Sequence, residues 1–296
     1  MFSRIKKLSR SINKKFILTT VLFAGPVICL AFIATSCGSW DKTVTGPNAG
    51  VIMTATAMGF TPTFTPTGTI TPQVSCPNPP TIVLNTAGNY TILAETQISD
   101  VPSSNVTGNV GLFPNTGAAI GLSCAEVTGT IFEEDTGYTG TGRLCGNTQY
   151  AALNTAVNDM GNAYTQANGI ANCATNLNAG IIGGLTLSRG KYYWSSGVTI
   201  PTDLHLDAEG DATASWVMQV SGNLVMASGV TIHLDNGALA QNVVWTCAGA
   251  VSIGTNSDFQ GTILCQTAIN VNTNATVTGR LLAQSAVNLE QNVITP

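Results

Sequence analysis

Charged side chains are scarce in this sequence. Aspartate, glutamate, lysine and arginine make up 9% of the 296 residues, whereas a typical soluble domain carries about 25%. Basic residues are especially few: six of the eleven lie within residues 1–15, and only Arg143, Arg189, Lys191 and Arg280 occur from residue 76 onward. Nucleic-acid binding depends on a basic patch that neutralises phosphates. The sequence therefore excludes nucleic acid as a partner of this region.

Histidines and recognisable catalytic motifs are also lacking. His205 and His233 each stand in an alternating apolar run, which is typical of a strand and places both on its solvent side. No Gly-x-Ser-x-Gly, P-loop or His-Glu-x-x-His motif occurs. Acidic residues cluster between Asp203 and Asp211, but their spacing is not that of an EF-hand. We expect no catalytic residue, no metal and no cofactor.

The N-terminal segment predicts export. Residues 1–15 are basic, residues 16–35 are apolar, and Ala34-Thr-Ser-Cys37-Gly follows, which is the layout of a secretory signal. The small residues before Cys37 resemble a bacterial lipobox, which implies lipidation of Cys37 and a membrane anchor through that lipid. An uncleaved transmembrane anchor is the alternative, because an apolar stretch of about 20 residues can just span a bilayer.

Three segments follow from this layout. We predict a lipoprotein signal peptide over residues 1–36, a spacer rich in threonine and proline over residues 37–80, and a folded domain over residues 81–296. Repeated Thr-Pro pairs favour extended, unpaired backbone. The spacer would then hold an exported domain away from the membrane, at the cell surface or the outer membrane.

An internal repeat determines the predicted fold. Segments that begin at Trp245, Ile263 and Leu281 align without gaps at a period of 18 residues, and a related segment begins far upstream at Ile92. β-Branched residues and glycines at a fixed period are typical of a β-solenoid. We predict a fold dominated by β-structure, a triangular β-solenoid with coils of about 18 residues and three faces.

A second pattern repeats as well. Segments of the form apolar-x-Gly-x-apolar begin at Val106, Val127, Phe259 and Val277. They support the same coil architecture.

Alternation along the repeated strands assigns side chains to the two sides of the wall. The inward columns contain Val251, Ile269 and Val287, and also Ile253, Val271 and Leu289. The outward columns contain alanines and small polar residues. On the preceding strand the outward positions are Thr246, Leu264 and Leu282. Because these are mostly apolar, another element has to cover that face.

One amphipathic helix can provide the cover. Over residues 148–168, apolar residues recur in steps of three and four from Leu153 to Ala167, which describes one face of a helix. Asn147 can cap its start and Gly169 its end. We therefore predict one long α-helix along the face that carries Leu264 and Leu282.

Six cysteines follow the lipobox, and an even number in an exported chain favours disulfides. Cys247 and Cys265 fall one coil apart in the same column. A coil spacing of about 4.8 Å lies within the Cα range of a bridge, about 4.4–6.8 Å. We predict a Cys247–Cys265 disulfide, with free packed cysteines as the alternative, and leave the pairing open for Cys76, Cys124, Cys145 and Cys173.

These repeats resemble the microbial ice-binding (antifreeze) β-solenoid family. Three further segments contribute to the resemblance, Leu185-Thr-Leu-Ser-Arg-Gly-Lys-Tyr192, Leu204-His-Leu-Asp-Ala-Glu-Gly210 and Asn242-Val-Val-Trp245. The resemblance runs from about Thr81 to Pro296. It implies a triangular solenoid with a flanking helix, a first coil that does not stack in chain order, and a protein that binds ice and is not an enzyme. We expect it to be a monomer.

The resemblance also indicates which face binds ice. Some family members carry a Thr-Ala/Gly-x-Thr/Asn motif there, which Thr267-Ala-Ile-Asn270 fits fully and Ser285-Ala-Val-Asn288 fits with serine for threonine. Ice presents a periodic array of water positions, so a flat, rigid and uncharged array of side chains is complementary to it. The candidate ice-binding residues are Thr96, Ser99, Ala250, Ser252, Thr267, Ala268, Asn270, Ser285, Ala286 and Asn288.

A second open face is the alternative ice-binding surface. It carries Thr107, Thr128, Thr130 and Thr278, and we expect Gln260 and Arg280 to interrupt it.

Two other functions are compatible with a solenoid. The protein could be a carbohydrate-binding or carbohydrate-active solenoid, in which a carboxylate pair could hydrolyse glycosides, although no pair stands out. An enzyme for acidic sugars would need a groove lined with basic residues, and these are few. It could also be a structural or adhesive surface protein.

Overall fold

The computed structural model describes residues 76–137 and 146–296. The predicted signal peptide, the lipidation site Cys37, and the spacer up to residue 75 lie outside the described residues, as does Cys145.

Within the described residues, the chain forms 24 short strands and one α-helix. The helix α1 is Tyr150–Gly169, between β7 and β8. In chain order the strands are β1 Tyr90–Ala94, β2 Gln97–Val101, β3 Asn105–Thr107, β4 Asn109–Leu112, β5 Val127–Thr128, β6 Ile131–Glu133, β7 Gly146–Thr148, β8 Ala174–Thr175, β9 Thr186–Ser188, β10 Gly190–Trp194, β11 Val198–Ile200, β12 Leu204–Asp207, β13 Trp216–Val220, β14 Leu224–Met226, β15 Ile232–Asp235, β16 Val243–Cys247, β17 Val251–Ile253, β18 Asp258–Gln260, β19 Thr262–Cys265, β20 Ile269–Val271, β21 Thr276–Thr278, β22 Leu281–Ala283, β23 Ala286–Glu290 and β24 Val293–Thr295.

The strands form the three faces of a parallel β-solenoid. The first face is a sheet in the order β7-β6-β4-β1-β22-β19-β16-β13-β10-β8, and the second is β11-β14-β17-β20-β23-β2. The third face consists of β9-β12-β15 and β18-β21-β24-β3-β5, which a bridge between Thr231 and Asp258 connects. The predicted fold class is confirmed.

The 18-residue repeat corresponds to the register of the first face. Trp245 pairs with Ile263, and Ile263 pairs with Leu281. Upstream coils are longer than this period, because wide corner loops separate β12 from β13 and β15 from β16. A gap-free period therefore detects only the C-terminal coils.

The N-terminal coil stacks out of chain order. Strand β1 pairs with β22, so Ile92 lies opposite Leu281 and Ala94 opposite Ala283. Strand β2 likewise pairs with β23. Strand β4 pairs with the other side of β1. The first coil in the chain therefore stacks directly on the last coil in the chain. The upstream Ile92 segment is therefore a genuine copy of the repeat.

The corner between the third and first faces requires glycine. The apolar-x-Gly-x-apolar segments cross this corner, and Gly261 and Gly279 have φ values of +114° and +148°. A Cβ on Gly279 would lie 2.0 Å from the Gly261 carbonyl oxygen. Coils stack so closely here that a side chain would push them apart.

Helix α1 covers the first face, as predicted. Its inner side buries Leu153, Ala156, Met160, Ala163 and Ala167. They form one apolar cluster with outward side chains of the sheet, among them Leu93, Val217, Val244, Leu264 and Leu282. Burial of this kind contributes about 25 cal/mol per Å² of apolar surface, which stabilises a helix whose exposed side is polar.

The predicted helix cap at Asn147 is wrong. The residue before the helix is Gln149, and its side chain makes no capping hydrogen bond. Asn147 instead belongs to β7, which pairs with β6, and its side-chain oxygen accepts from Gln149 Nε2 at 3.2 Å rather than from a helix N–H. Gly169 is the last residue of the helix itself.

Polar contacts fix the helix on the sheet. Thr86 donates from its hydroxyl to Asp159 at 2.6 Å and from its backbone N–H at 3.0 Å. Near the helix C-terminus, Lys191 is 1% exposed, and its Nζ donates to the Ala167 carbonyl and to Gln219 Oε1, both at 2.7 Å. Burial lowers the pKa of Lys191 to about 8.

The predicted Cys247–Cys265 disulfide is wrong. Both cysteines are free and buried, although they are partners in the ladder. Parallel side chains in register keep their Cβ atoms about one coil apart, near 4.8 Å, whereas a disulfide needs about 3.5–4.5 Å. The Cys265 thiol also donates to the Gly249 carbonyl at 3.2 Å.

Disulfides occur elsewhere. Cys76 and Cys173 are bonded, with Cα atoms 5.5 Å apart, and Cys124 is also disulfide-bonded. The first bridge ties the start of the described chain to the segment that follows helix α1.

In the part of the chain that the structure describes, no helix combines the length and hydrophobicity needed to cross a membrane.

Candidate functional site

The second face brings most of the predicted ice-binding residues together. Ser252, Asn270, Asn288 and Ser99 are register partners on β17, β20, β23 and β2. They alternate with buried residues such as Val251 and Ile269, Val287 and Ile98, so they point outward from a close-packed wall. One column of small polar side chains thus runs over four neighbouring coils.

Hydrogen bonds join this column along the stack. The Ser99 hydroxyl donates to Asn288 Oδ1 at 2.7 Å, and Asn288 Nδ2 donates to Asn270 Oδ1 at 2.8 Å. Asn270 Nδ2 donates to the Val251 carbonyl at 3.3 Å. The amides are therefore oriented by their neighbours and not by solvent alone.

A flat column flanks these residues. Ala250, Ala268 and Ala286 precede the polar positions by two residues, at or just before the start of β17, β20 and β23, and are partly exposed. At the preceding corner, the Thr96 and Ser285 hydroxyls lie 3.4 Å apart, and Thr267 is exposed. Methyl groups and short hydroxyls keep this side of the wall flat over three coils, and the exposed Gln97, which pairs with Ala286, ends the flat column on β2.

Gly249 stands where the neighbouring coils carry Thr267 and Ser285. A Cβ there would lie 2.3 Å from Asn223 Oδ1 and 2.6 Å from the Gly222 carbonyl carbon. The close stacking of the two glycines explains why the motif departs from threonine in this coil.

The face extends further than the repeat predicts. Val225 pairs with Ser252, and Thr199 pairs with Val225, which extends the outward column by one apolar and one polar residue. Ile181, 53% exposed, forms a bridge with Thr199. These coils fall outside the 18-residue period. The alternation in Val198-Thr-Ile200 and Leu224-Val-Met226 is the signal that could have found them.

Charges lie at the rim of the second face. The Glu290 carboxylate accepts from the Thr273 hydroxyl at 2.8 Å. Asp100, at the end of β2, accepts from the Ser104 hydroxyl at 2.6 Å. Burial and the neighbouring Glu126 carboxyl raise the pKa of Asp100 to about 6.

The third face carries a threonine column of its own. Thr278 pairs with Thr295, and Thr107 with Thr128. Because Ile294 pairs with Val106, Thr295 and Thr107 are neighbours as well. Sequence reasoning missed Thr295, since Val293-Ile-Thr295 lacks the glycine pattern.

Two expectations about the third face, those for Thr130 and Arg280, are corrected. Thr130 lies beyond strand β5 and outside the column, where its N–H donates to Asn109 Oδ1 at 3.1 Å. Arg280 does not interrupt the column, because its Nε donates to the Gly88 carbonyl at 3.1 Å. Gln260 pairs with Thr278 and so ends the column.

The other part of the third face is charged. His205 and His233 stack with ring centroids 4.6 Å apart. His205 Nδ1 lies 2.7 Å from Asp235, and His233 Nε2 lies 3.1 Å from Asp203. No group of three or more metal-ligating side chains is found among the described residues.

The basic side chains of the described residues are all engaged. Arg189 pairs with Asp211 at 2.5 Å, Lys191 is buried beneath the helix, and Arg280 binds a backbone carbonyl. They do not line a groove for an acidic polysaccharide.

Sequence comparison identifies the family. The family described as ice-binding-like matches residues 92–295. The chain belongs to the ice-binding family. It is 49% identical over 184 residues to an ice-binding protein of Flavobacterium frigoris (strain PS1), a match that covers 62% of this chain and 64% of that protein. It is 46% identical over 194 residues to an ice-binding protein of a Colwellia species, covering 65% and 74%. This chain thus spans less than two thirds of the Flavobacterium protein.

Solved structures show the same fold. An ice-binding protein with antifreeze activity from an Arctic yeast superposes with a TM-score of 0.66 and 31% identity, over 73% of this chain and 94% of that chain. The DUF3494 domain of Shewanella frigidimarina ice-binding protein 1 superposes with a TM-score of 0.66 and 30% identity, over 74% and 98%. In this ice-binding family member the helix occupies the first face, so the second and third faces are the candidates for contact with ice.

Proposed function

We propose that this protein adsorbs to ice through its second face, and that its function is binding and not catalysis. The observation that carries the proposal is the outward column of Ser252, Asn270, Asn288 and Ser99, in register over four coils. It is supported by membership of the ice-binding family and by the relatives described as ice-binding proteins.

The physical basis is repetition. Each hydrogen bond to a surface water contributes about 1 kcal/mol at most. Parallel coils repeat the same groups at about 4.8 Å, so many weak contacts can form together without a pocket. The tightly packed interior keeps the array from bending, and the absence of long charged side chains within the polar column leaves its hydration layer undisturbed.

Substitution with a bulky side chain tests the face. Ala268→Tyr would place a ring on the flat column, and Thr278→Tyr would place the same ring on the third face as a matched control. We expect Ala268→Tyr to abolish inhibition of ice recrystallisation with an unchanged melting temperature, while Thr278→Tyr retains it.

The threonine column of the third face is the second candidate. Its four consecutive threonines, Thr278, Thr295, Thr107 and Thr128, are a more uniform array than the second face presents. If Thr278→Tyr abolishes activity and Ala268→Tyr does not, the third face binds ice. If the unaltered protein has no effect on ice at micromolar concentration, the proposed function fails, and a glycan panel and cell-adhesion assays test the remaining alternatives.

We further propose that the protein is exported and anchored through a lipid on Cys37. The basic, apolar and small-residue order of residues 1–38 supports this, as does the Cys76–Cys173 disulfide, since disulfides persist in oxidising compartments. Cys37→Ala should release the protein from the membrane fraction. Retention would favour an uncleaved transmembrane anchor. Sedimentation equilibrium of residues 76–296 tests the expected monomer.

A further inference from the structure

The side-chain amides of Asn270 and Asn288 on the second face each form hydrogen bonds to both neighbouring coils. Asn288 accepts from the Ser99 hydroxyl and donates to Asn270. Asn270 accepts from Asn288 and donates to the Val251 carbonyl. Each asparagine therefore uses one N–H and one oxygen lone pair along the stack, and each keeps one N–H for solvent.

The hydrogen bonds all run in one direction. The Val251 carbonyl can only accept, so Asn270 turns its NH₂ group towards it. The Asn270 oxygen then faces Asn288, whose NH₂ group fills that position. The Asn288 oxygen is left at the far end, where the Ser99 hydroxyl donates to it. The backbone carbonyl of Val251 fixes one end of this chain of hydrogen bonds, and the Ser99 hydroxyl fixes the other end.

We propose that Ser99 is a positioning residue, which clamps the amides of Asn288 and Asn270 so that their remaining N–H groups form an aligned row of donors for the first layer of ice-like water. This inference rests on the proposed function of the second face. The two donors repeat with the coil spacing, about 4.8 Å. Groups that are oriented before binding lose less conformational freedom when water orders on them.

Ser252 offers a comparison within the same column. It is the register partner of Asn270 on the opposite side from Asn288, and it is likewise partly exposed. No hydrogen bond of its hydroxyl is found among the described residues, whereas Ser99 has one. Loss of the Ser252 hydroxyl removes one surface group, and loss of the Ser99 hydroxyl also releases an amide.

The test compares Ser99→Ala with Ser252→Ala and Ser99→Thr in the full chain. Side-chain amide signals of Asn288 and Asn270 in ¹⁵N NMR report the ladder in the absence of ice. We expect the Asn288 NH₂ signals to shift and exchange faster in Ser99→Ala, and to remain as in the unaltered protein in Ser252→Ala and Ser99→Thr.

Ice activity is then measured on the same three variants. The concentration for half-maximal inhibition of recrystallisation should rise about twofold or more further in Ser99→Ala than in Ser252→Ala, in line with the loss of one net hydrogen bond. Ser99→Thr should retain the hydroxyl bond and stay near the unaltered protein. Melting temperatures by circular dichroism should agree among the four proteins.

The outcomes separate the two proposals. If the unaltered protein does not inhibit recrystallisation, the proposed function fails, and with it the role of Ser99 in ice binding. If it does, but both alanine variants lose equal activity, or the Asn288 signals do not change in Ser99→Ala, then the positioning role is overturned while ice binding stands. Failure of Ser99→Thr to retain activity would also overturn it.

Discussion

Ile92 and Leu281 are partners in adjacent parallel strands near opposite ends of the described chain. Both side chains are fully buried in one core. Contacts between the N-terminal and C-terminal coils therefore join the two parts of the solenoid within one open sheet, and its stability depends on a pairing that is distant in sequence.

Truncation of this contact should destabilise the whole domain. Ile92→Ala removes three buried carbon atoms, and such changes cost about 2–5 kcal/mol. Urea denaturation followed by circular dichroism should show this loss. Val293→Ala, at a position 45% exposed on the third face, is the control and should change stability by about 0.5 kcal/mol or less. Equal effects of the two would mean that the coil junction contributes little.

The two free cysteines should be protected from alkylation. Cys247 and Cys265 are buried, and burial raises the pKa of both thiols. Because the thiolate is the reactive form, iodoacetamide should label neither in the native protein and both in denaturant without reductant, as read by mass spectrometry. Labelling of only one, or of neither, in denaturant would contradict the unpaired state.

Lys191 should make stability rise with pH in alkaline solution. Its pKa is lowered by burial to about 8, while an unfolded lysine titrates near about 10.4. Between these values the unfolded chain binds more protons, so stability from this group is lost as pH falls through about 8 and is fully present above about 10.4.

The comparison for Lys191 is with Lys191→Met. From pH 8 to 10.5, the free energy of unfolding of the unaltered protein should increase relative to the variant by up to about 3 kcal/mol, since one pKa unit corresponds to about 1.36 kcal/mol. Burial raises the pKa of Tyr90, Tyr164 and Tyr192, and because both proteins carry these tyrosines, their effect cancels in the difference. Parallel pH profiles would show that Lys191 keeps an ordinary pKa.

Asp100 should make the stability of the domain fall as pH rises in mildly acidic solution. Its pKa is raised to about 6 by burial and by Glu126, above an unfolded value of about 3.9. The stabilisation from this carboxyl is therefore complete below pH of about 4 and is lost as pH rises through about 6. Relative to Asp100→Asn, which mimics the protonated acid, the unaltered protein should lose stability between these pH values. A constant difference in thermal melting across this range would show that the pKa of Asp100 is not raised.

Much of the fold could be predicted from the sequence, because residues that are equivalent in the 18-residue repeat are register partners in the parallel sheet. Residues equivalent in the period, such as Trp245, Ile263 and Leu281, become partners in space. The helix could be predicted equally well, since the apolar residues that recur in steps of three and four from Leu153 to Ala167 form its buried side.

The wrong or missing predictions have two causes, the directions of side chains and the long loops of some coils. Sequence spacing placed Cys247 beside Cys265 correctly, but it carries no information on the direction in which each thiol points. The sequence predicts Arg280 on the third face, but its side chain turns away from that face because its Nε donates to the Gly88 carbonyl. Thr199 escaped detection because its coil is longer than the 18-residue period, and Thr295 because its strand lacks the glycine pattern. The amide ladder depends on rotamers, which a linear pattern does not encode.

The position of β24 has a consequence for attachments to the protein. This strand lies between β21 and β3, inside its sheet and away from both edges. Because Thr295 is the register partner of Thr278, which precedes the Gly279 corner, a fluorescent fusion or surface linker joined after Pro296 would emerge at the corner between the third and first faces. That corner does not border the second face, so such a joint would leave the second face free to meet a crystal. C-terminal immobilisation is therefore a directional way to display the asparagine column.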